Sequence, residues 1–388
     1  DAVGNYEFVI PAGNYELSLI PETYNWNPCL APFNILIQGP FDTLYFDLPV
    51  LNEITGPYLE VDVSAASVAP CSNQTYYVNY CNKGTTDALE AEVAFTLDPY
   101  FSYLGSSLPV TSQDGSTYRF LLGDVNAQDC GTIEVEVAID CNAPEGLTHC
   151  MGVSVLPNAI QQPLDPDWDG ASLAVEGYCN PAADTVVFEI RNVGINAMTE
   201  TQNFVIIEDD LVLFTAPTTL AIGAAEVVAI PANGKTYRME IAQSTGHPGR
   251  SKPSAAVEAC GTDGSGNVSL GYVTQFSEDD ADFFVSIDCQ QNAMAFEPFA
   301  KRCFPEGTES QHFIDPNEDL EYHIRFQNIL SDTVKDLIIR DTLSPFLDIT
   351  SIRPGASSHA YDFEIYGNGI VKFTFSNINL SPAGVGFI

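Results

Sequence analysis

The sequence predicts an all-β protein: a tandem array of immunoglobulin-like β-sandwiches stapled by disulfides. Three observations carry that expectation. Apolar and polar residues alternate with a period of two through much of the 388 residues, as in Tyr15 to Leu19, Val61 to Val63, Glu134 to Ile139, Thr185 to Ile190 and Lys372 to Phe375; that period puts every second side chain on one face of a strand. No stretch keeps a helical period over three turns. Ten cysteines are spread along the chain without a Cys-x-x-Cys, a pattern of structural disulfides in an oxidising compartment more than of zinc or redox chemistry.

Most alternating segments are bounded by Gly, Pro, Asn or Asp, which supply the backbone angles that turns demand. Strands at this spacing without helices imply Greek-key sandwiches. Residues 1–57 read as a partial sandwich whose opening strands are lacking, with DAVGNYEF and Gly13 to Leu19 in its second half. Residues 58–163 read as a first full sandwich and 164–288 as another, joined by a linker at Pro157 to Pro166. Within the latter, Gly223 to Ala229 fits one helical turn or a strand. Residues 289–388 form the last unit.

Self-comparison supports repetition. Val78 to Pro99 aligns without gaps on Ile324 to Pro345, matching Val78 with Ile324, Tyr80 with Phe326, Asn82 with Asn328 and Pro99 with Pro345. Tyr118 and Phe120 answer Phe373 and Phe375, and the segment ADTVVFEIRNVG at 183–194 also runs strand, Asn, Gly turn. On this alignment the last unit lacks counterparts of Gly131 to Ile139 and His149 to Leu156. Those strands are expected from a continuation of the chain or from a neighbouring molecule, because an open edge leaves backbone donors unpaired. A start at Asp1 without a signal peptide suggests a processed or truncated product.

Lys plus Arg number 14 against 52 Asp plus Glu, a net charge of −38, and no basic residue precedes Lys83. A polyanion cannot gather phosphates by counterion release, which excludes nucleic acid and anionic membrane surfaces as partners. With 45% hydrophobic residues the chain is too apolar for a disordered acidic tail. No apolar run reaches the roughly 18 residues that span a bilayer. The acid is dilute, suited to high salt or divalent cations.

Calcium is the candidate ion, and no other cofactor is required. Asp165, Asp167 and Asp169, then Gly170 and Glu176, fit the spacing in which alternating carboxylates and a terminal Glu wrap calcium. The flanks read as linker and strand rather than helices, which equally suits an acidic turn with Trp168 packing between units. Asp263 to Asn267 has weaker loop-like spacing. Asp279, Asp280 and Asp282, following Glu278, form a second candidate because like charges this close repel unless a cation relieves them. The five histidines stand in separate contexts without a nucleophile elbow or His-Glu-x-x-His, so no enzyme is expected. His323 alternates with Arg325, as on an exposed sheet face. For the cysteines, Cys179 with Cys260, Cys289 with Cys303 and Cys81 with Cys130 suit strand and loop staples. Cys141 with Cys150 and Cys29 with Cys71 complete one set among the 15 pairings that the first six cysteines allow.

Ile324 to Leu380, with IRFQN, IIRDTLSPFLD, RPGASSH and KFTFSNINL, resembles a recurring Ig-like module near the C-termini of large secreted surface proteins of Bacteroidota exported by the type IX route. YYVNYCNKGT, LGYVTQF and PANGKTYRMEIAQSTGHPG resemble the domains that usually precede it, and DAVGNYEFVIPAGNYEL resembles the collagen-binding-protein B-type repeat. The chain departs from these families in two places. FEPFAK at 296–301 replaces the usual Tyr-Asp-Pro-Asn-Asp-Lys, and the first 82 residues contain no Lys for the isopeptide bond common in B-type repeats. The resemblance also implies O-glycan acceptors of Asp-Thr-aliphatic form at Thr43, Thr185, Thr333 and Thr342. It implies an extracellular, cell-surface structural protein, a filament or stalk subunit, whose partners are further copies or other surface proteins. Two alternatives stand beside it: an adhesin stacking glycans on Trp26, Tyr24 or Tyr100, and spacer domains of a larger secreted enzyme.

Overall fold

The computed structural model describes residues 6–388 apart from 22, 24, 40–41, 159–163, 295, 317 and 368. The fold is all-β, with two single-turn 3-10 segments at Val273–Gln275 and Ile349–Ser351 among the described residues. The N-terminal unit has four short strands, β1 (Gly13–Leu17), β2 (Trp26–Pro28), β3 (Phe33–Ile37) and β4 (Val50–Asn52), paired antiparallel as β1 with β3 and β2 with β4. Among its described residues no apolar side chain is fully buried.

The first full sandwich holds β5 (Leu59–Ala65), β6 (Asn73–Asn82), β7 (Ala88–Thr96), β8 (Phe101–Ser106), β9 (Ser112–Asp114), β10 (Thr117–Val125), β11 (Cys130–Ile139) and β12 (Thr148–Leu156). One sheet runs β5-β6-β11-β8 and the other β9-β10-β7-β12. Period-two alternation decides what is inside: Ile133, Val135 and Val137 on β11 face Val93, Phe95 and Met151 across the core, while Glu134 and Glu136 point to solvent.

Beyond β12 the chain builds β13 (Leu173–Asn180), β14 (Thr185–Asn192), β15 (Gln202–Glu208), β16 (Leu211–Thr218), β17 (Ala225–Pro231), β18 (Tyr237–Ile241) and β19 (Ser254–Val257). Their sheets, β13-β14-β17 and β16-β15-β18-β19, close over Phe188, Phe204, Tyr237 and Met239. Of Gly223 to Ala229, open to two readings in the sequence, all but the first two residues lie in strand β17. The chain then returns. Strand β20 (Val285–Gln291) pairs with β12 and extends the sheet of the first sandwich, so the expected boundary at 288 falls inside a strand of the earlier unit. The last unit has β21 (Ala300–Phe304), β22 (Glu321–Gln327), β23 (Leu337–Thr342), β24 (Asp362–Tyr366), β25 (Ile370–Phe375) and β26 (Val385–Phe387). Its sheets β21-β22-β26 and β23-β25-β24 enclose Phe326, Phe375 and Leu380.

Each of the three sandwiches carries one buried Asn at the end of its second strand. Asn82 donates through Nδ2 to the carbonyls of Thr86 and Val125, both at 2.9 Å, and its Oδ1 accepts from the N–H groups of Tyr58 and Gly84 at 3.1 Å. Asn192 donates to Asn196 and Leu220 at 2.8 and 3.3 Å and accepts from Ser172 and Gly194. Asn328 donates to Asp332 and Leu380 at 2.8 and 2.9 Å and accepts from Leu330. A neutral amide alone offers two donors and an acceptor in this volume, which satisfies backbone groups that a turn into the core would orphan.

Four disulfides form: Cys71–Cys141, Cys81–Cys130, Cys150–Cys289 and Cys179–Cys260. Three sequence-derived pairs are corrected. Cys289 bridges Cys150 and not Cys303, because β20 lies beside β12 with those two residues directly opposite, Cα atoms 4.1 Å apart. Cys141 consequently does not bridge Cys150, and meets Cys71, whose Cα is 4.3 Å away. Cys29 does not bridge Cys71 and, like Cys303, is unbridged. Cys150–Cys289 closes the longest interval, 139 residues. Replacing both by Ala is expected to cost about 2–4 kcal/mol, measured as a lowered urea midpoint; an unchanged midpoint would contradict it.

Candidate functional site at the module junction

Strand β20 is amphipathic in an unusual sense: its inward residues are polar. They face the open edge of β5. Ser286 Oγ accepts from the N–H of Val63 at 3.2 Å, Asp288 Oδ2 accepts from the N–H of Ala65 at 3.1 Å, and Gln290 Nε2 donates to the carbonyl of Ala65 at 2.9 Å. The Phe283 carbonyl accepts from Val61 N–H at 3.0 Å. Side chains thus occupy the place of a neighbouring strand and satisfy an edge that would otherwise be unpaired.

The last unit docks on the same place. Asp62 of β5 accepts from Ser286 Oγ at 2.9 Å and from the N–H of Ala356, within the Arg353–His359 turn. That turn is held in shape by Ser357 Oγ donating to the Phe387 carbonyl at 2.8 Å and by Tyr361 OH donating to the Gly355 carbonyl at 2.8 Å. Phe387 packs edge-on against Tyr77 of β6, ring centroids 5.6 Å apart. His323, expected on an exposed face, is buried here against Phe387 at 5.5 Å; burial and the Arg302 and Arg325 guanidinium groups pull its pKa down to about 4. Its strand has both faces covered, one by its own core and one by this junction.

Four carboxyls converge from three parts of the chain: Asp62 on β5, Asp280 and Asp288 before and within β20, and Glu321 on β22. Burial raises Asp288 to about 7 against the hydrogen bonds from Gln290 and Ala65, which favour its ionised form. Burial also raises Asp280 to about 7, with added repulsion from Glu278, Asp62 and Asp279. Asp62 is raised by burial although Ala356, Ser286 and the charge of Arg353 oppose the shift. Glu321 lies at the wet rim, still exposed along its length; the protein around its carboxyl and the charges of Asp62, Asp288 and Asp280 push it well up.

The calcium candidates do not gather as the spacing suggested. Asp165 Oδ1 accepts from the N–H of Asp167 at 2.9 Å, Asp169 caps Ala171 and Thr199 at 2.9 and 2.8 Å, and Glu176 stands exposed on β13. Trp168 donates to the Ala171 carbonyl at 2.8 Å and packs on His247, within its own unit. In the second candidate, Asp279 accepts from Lys252 N–H at 2.6 Å and Asp282 from Arg250 N–H at 2.7 Å, whereas Asp280 turns away to Ile287. Among the described residues no three His, Cys, Asp or Glu side chains could hold a metal ion together. Thr43, Thr333 and Thr342 are exposed and Thr185 half-buried. Trp26 is half-buried, Tyr100 leans on His149 at 5.5 Å, and Tyr24 lies outside the described residues.

Sequence reasoning missed the Asp98–His149–Asn292 line. His149 Nδ1 lies 3.0 Å from Asp98 Oδ1, and Asn292 Nδ2 donates to its Nε2 at 3.0 Å. The ring is fully buried, and an amide sits where a nucleophile would be needed. Its effect is to fasten β20 to β12. Two concave places are a cavity of about 10 Å³ lined by residues including Leu19, Leu30 and Phe33, and an open trough of about 590 Å³ between Glu7–Ile10 and β23 to β25.

Residues 297–386, the stretch that forms β21 to β26, match the family model described as a domain of unknown function, DUF7619. No curated protein matches the chain. Among solved structures the chain is similar to BcpA, the major pilin subunit of Bacillus cereus, at 10% identity, covering 55% of this chain and 69% of that one, with a TM-score of 0.21. It is similar to a variant of the same subunit at 10% identity over 67% and 84%, TM-score 0.23. A red sea bream transglutaminase is similar at 12% identity over 53% and 32%, TM-score 0.17.

Proposed function

We propose that this chain is an extracellular structural protein, a stalk or subunit of a cell-surface appendage, and not an enzyme. The observation that carries the reading is the return of β20. The chain leaves the first sandwich at β12, builds a second sandwich, and comes back to pair seven residues with β12. A pull on the last unit is therefore opposed by a full strand pair, by the Cys150–Cys289 bridge and by the Asp98–His149–Asn292 line together. Arg238, buried on β18, adds a tie: it bonds Glu240 at 2.7 Å and Glu278 at 3.1 Å, joining the inserted sandwich to the connecting segment. Four disulfides suit an oxidising compartment. Surface attachment, partner subunits and the type IX export route come from the sequence resemblance.

Immunogold labelling of intact source cells with antibody against this chain tests the reading. Label along surface structures is expected; label confined to the cell interior would overturn it.

A further inference from the structure

The last unit closes its own core over Phe326, Phe375 and Leu380, separate from the core of the first sandwich. Two sets of contacts hold it to the sandwiches before it. One is the seat on β5, where the Ala356 N–H donates to the Asp62 carboxylate and Phe387 packs on Tyr77. The other lies along residues 306–319. There Glu306 and Gly307 donate N–H groups to the Thr274 and Gln275 carbonyls at 2.7 and 3.2 Å, and Asp319 and Glu318 pair with Arg250 and Lys252 at 2.6 and 3.2 Å.

The two attachments differ in kind. The second joins backbone groups and opposite charges, whereas the first sets carboxyls on both sides of a contact: Asp62 and Asp288 belong to the first sandwich and Glu321 to the last unit. Arg353 draws Asp62 down, but every charge acting on Glu321 is a carboxylate of the opposite side. Like charges across a contact repel, so the seat closes best while some of these groups keep their protons.

We propose that this seat is a pH-sensitive latch: as pH rises above neutrality the Arg353–His359 turn lifts off β5 and the last unit swings on its 306–319 attachment, and lowering the pH closes it again. Burial and the opposing carboxylates raise Glu321, and the opposing share of that rise exists only while the seat is closed. The closed form therefore holds a proton that the open form releases, and closure is lost as pH climbs through the closed-state pKa. Asp288, raised by burial to about 7, marks the region of that loss, and Asp62 is raised in the same sense.

The other groups at the seat leave this sign unchanged above pH 6.5. His323 and His359, both lowered chiefly by burial, oppose closure only where the open form would protonate them, below 6.5. Arg302 and Arg325 beside His323 stay charged throughout, and Tyr77 and Tyr361, raised by burial, stay protonated. Glu60 shares the face of β5 that carries Asp62, and Glu278 and Asp279 add their repulsion at Asp280. The latch rests on this seat alone and not on the appendage reading.

Amide hydrogen exchange of the full chain at pH 6.5 and 8, each corrected for the intrinsic rate at that pH, tests it together with small-angle X-ray scattering. Release of one proton shifts the latch by up to about tenfold per pH unit, so residues 353–359 should lose roughly tenfold protection over this range. Residues 306–308, 133–137 and 371–375 should keep theirs, and the radius of gyration should rise. Glu321→Gln should reduce the loss at 353–359 to a few-fold, and Glu176→Gln on β13 should leave it as in the wild type. If Glu321→Gln misfolds by circular dichroism, Asp62→Asn, whose amide oxygen can still accept from Ala356, serves instead. Equal protection of 353–359 at both pH values, a loss that runs equally through the core segments, or a seat variant that opens like the wild type would each overturn the proposal.

Discussion

Asn82→Asp is expected to destabilise the first sandwich by about 3–5 kcal/mol at neutral pH, although the side chain barely changes in size. The Nδ2 group donates to two carbonyls, Thr86 and Val125, in a fully buried corner. A carboxylate there would set an oxygen against both carbonyls and bury a charge. The sign with pH is fixed: burial raises the introduced group's folded pKa above its unfolded value, so the deficit is smallest in acid and grows as pH rises through the folded pKa. Urea denaturation of wild type and variant at two pH values, with amide exchange at Val78 and Ile133 reporting on this sandwich, measures it. Asn192→Asp and Asn328→Asp should each loosen their own sandwich. A loss below about 1 kcal/mol would show that the corner relaxes and the repeated Asn is dispensable.

Stability of the wild type is expected to fall as pH rises from about 4 to about 7 and then level off, and Asp280→Asn should remove part of that slope. Asp280 and Asp288 have folded pKa values of about 7 against an ordinary 3.8, so between those limits the folded state holds protons that the unfolded chain has released. Each such group contributes at most about 1.4 kcal/mol per pH unit. Asp62 and Glu321 are displaced in the same direction; Glu278 and Asp279 add repulsion, and Arg353 opposes it at Asp62. His323, lowered from 6.5 to about 4, acts in the opposite sense between those limits and offsets about one of the raised carboxyls, so the net fall is smaller than their sum. An amide at 280 can still accept from Ile287 N–H, so the variant should gain stability at pH 8 and change little at pH 4. Denaturation midpoints that are flat between pH 4 and 8 in the wild type, or identical in the variant at every pH, would refute the account.

The Asp280 prediction shows where sequence reading stops. Glu278 to Asp282 read as one acidic run, since adjacent carboxylates share a neighbourhood along the chain. In the fold the run divides: Asp279 and Asp282 cap the 250–252 turn, while Asp280 joins Asp62, Asp288 and Glu321. The RPGASSH motif stood out as a family signature, but nothing within it points to Asp62, almost 300 positions earlier. His323 was misjudged for the same reason: alternation says that a residue is on the second face of a strand, not whether another unit covers that face.

Local rules held where the pattern repeated and failed for the two staples between near neighbours, Cys141 with Cys150 and Cys289 with Cys303, because short spacing allows a bridge without bringing the strands together. The period of two marked strand segments, and the match of Asn82 with Asn328, extended to the Asn of the 183–194 segment, marked three corners of the same construction. Cys81–Cys130 and Cys179–Cys260 join strand ends within one sandwich, where alternation and turn spacing constrain the pairing. The path of β20 lay outside such rules. Its polar inward face, VSIDCQQ, reads like a solvent-facing strand until the open edge of β5 is placed against it. The amino-acid sequence alone determined the strand class, the repeated corner and two staples inside a sandwich, Cys81–Cys130 and Cys179–Cys260, because each depends on side-chain periodicity or on cysteines placed at strand ends. Only the tertiary structure decided that Cys150 meets Cys289 and that carboxyls from three distant stretches share one junction, because a strand returning after more than a hundred residues takes its partner from the shape of the exposed edge and not from anything in its neighbouring sequence.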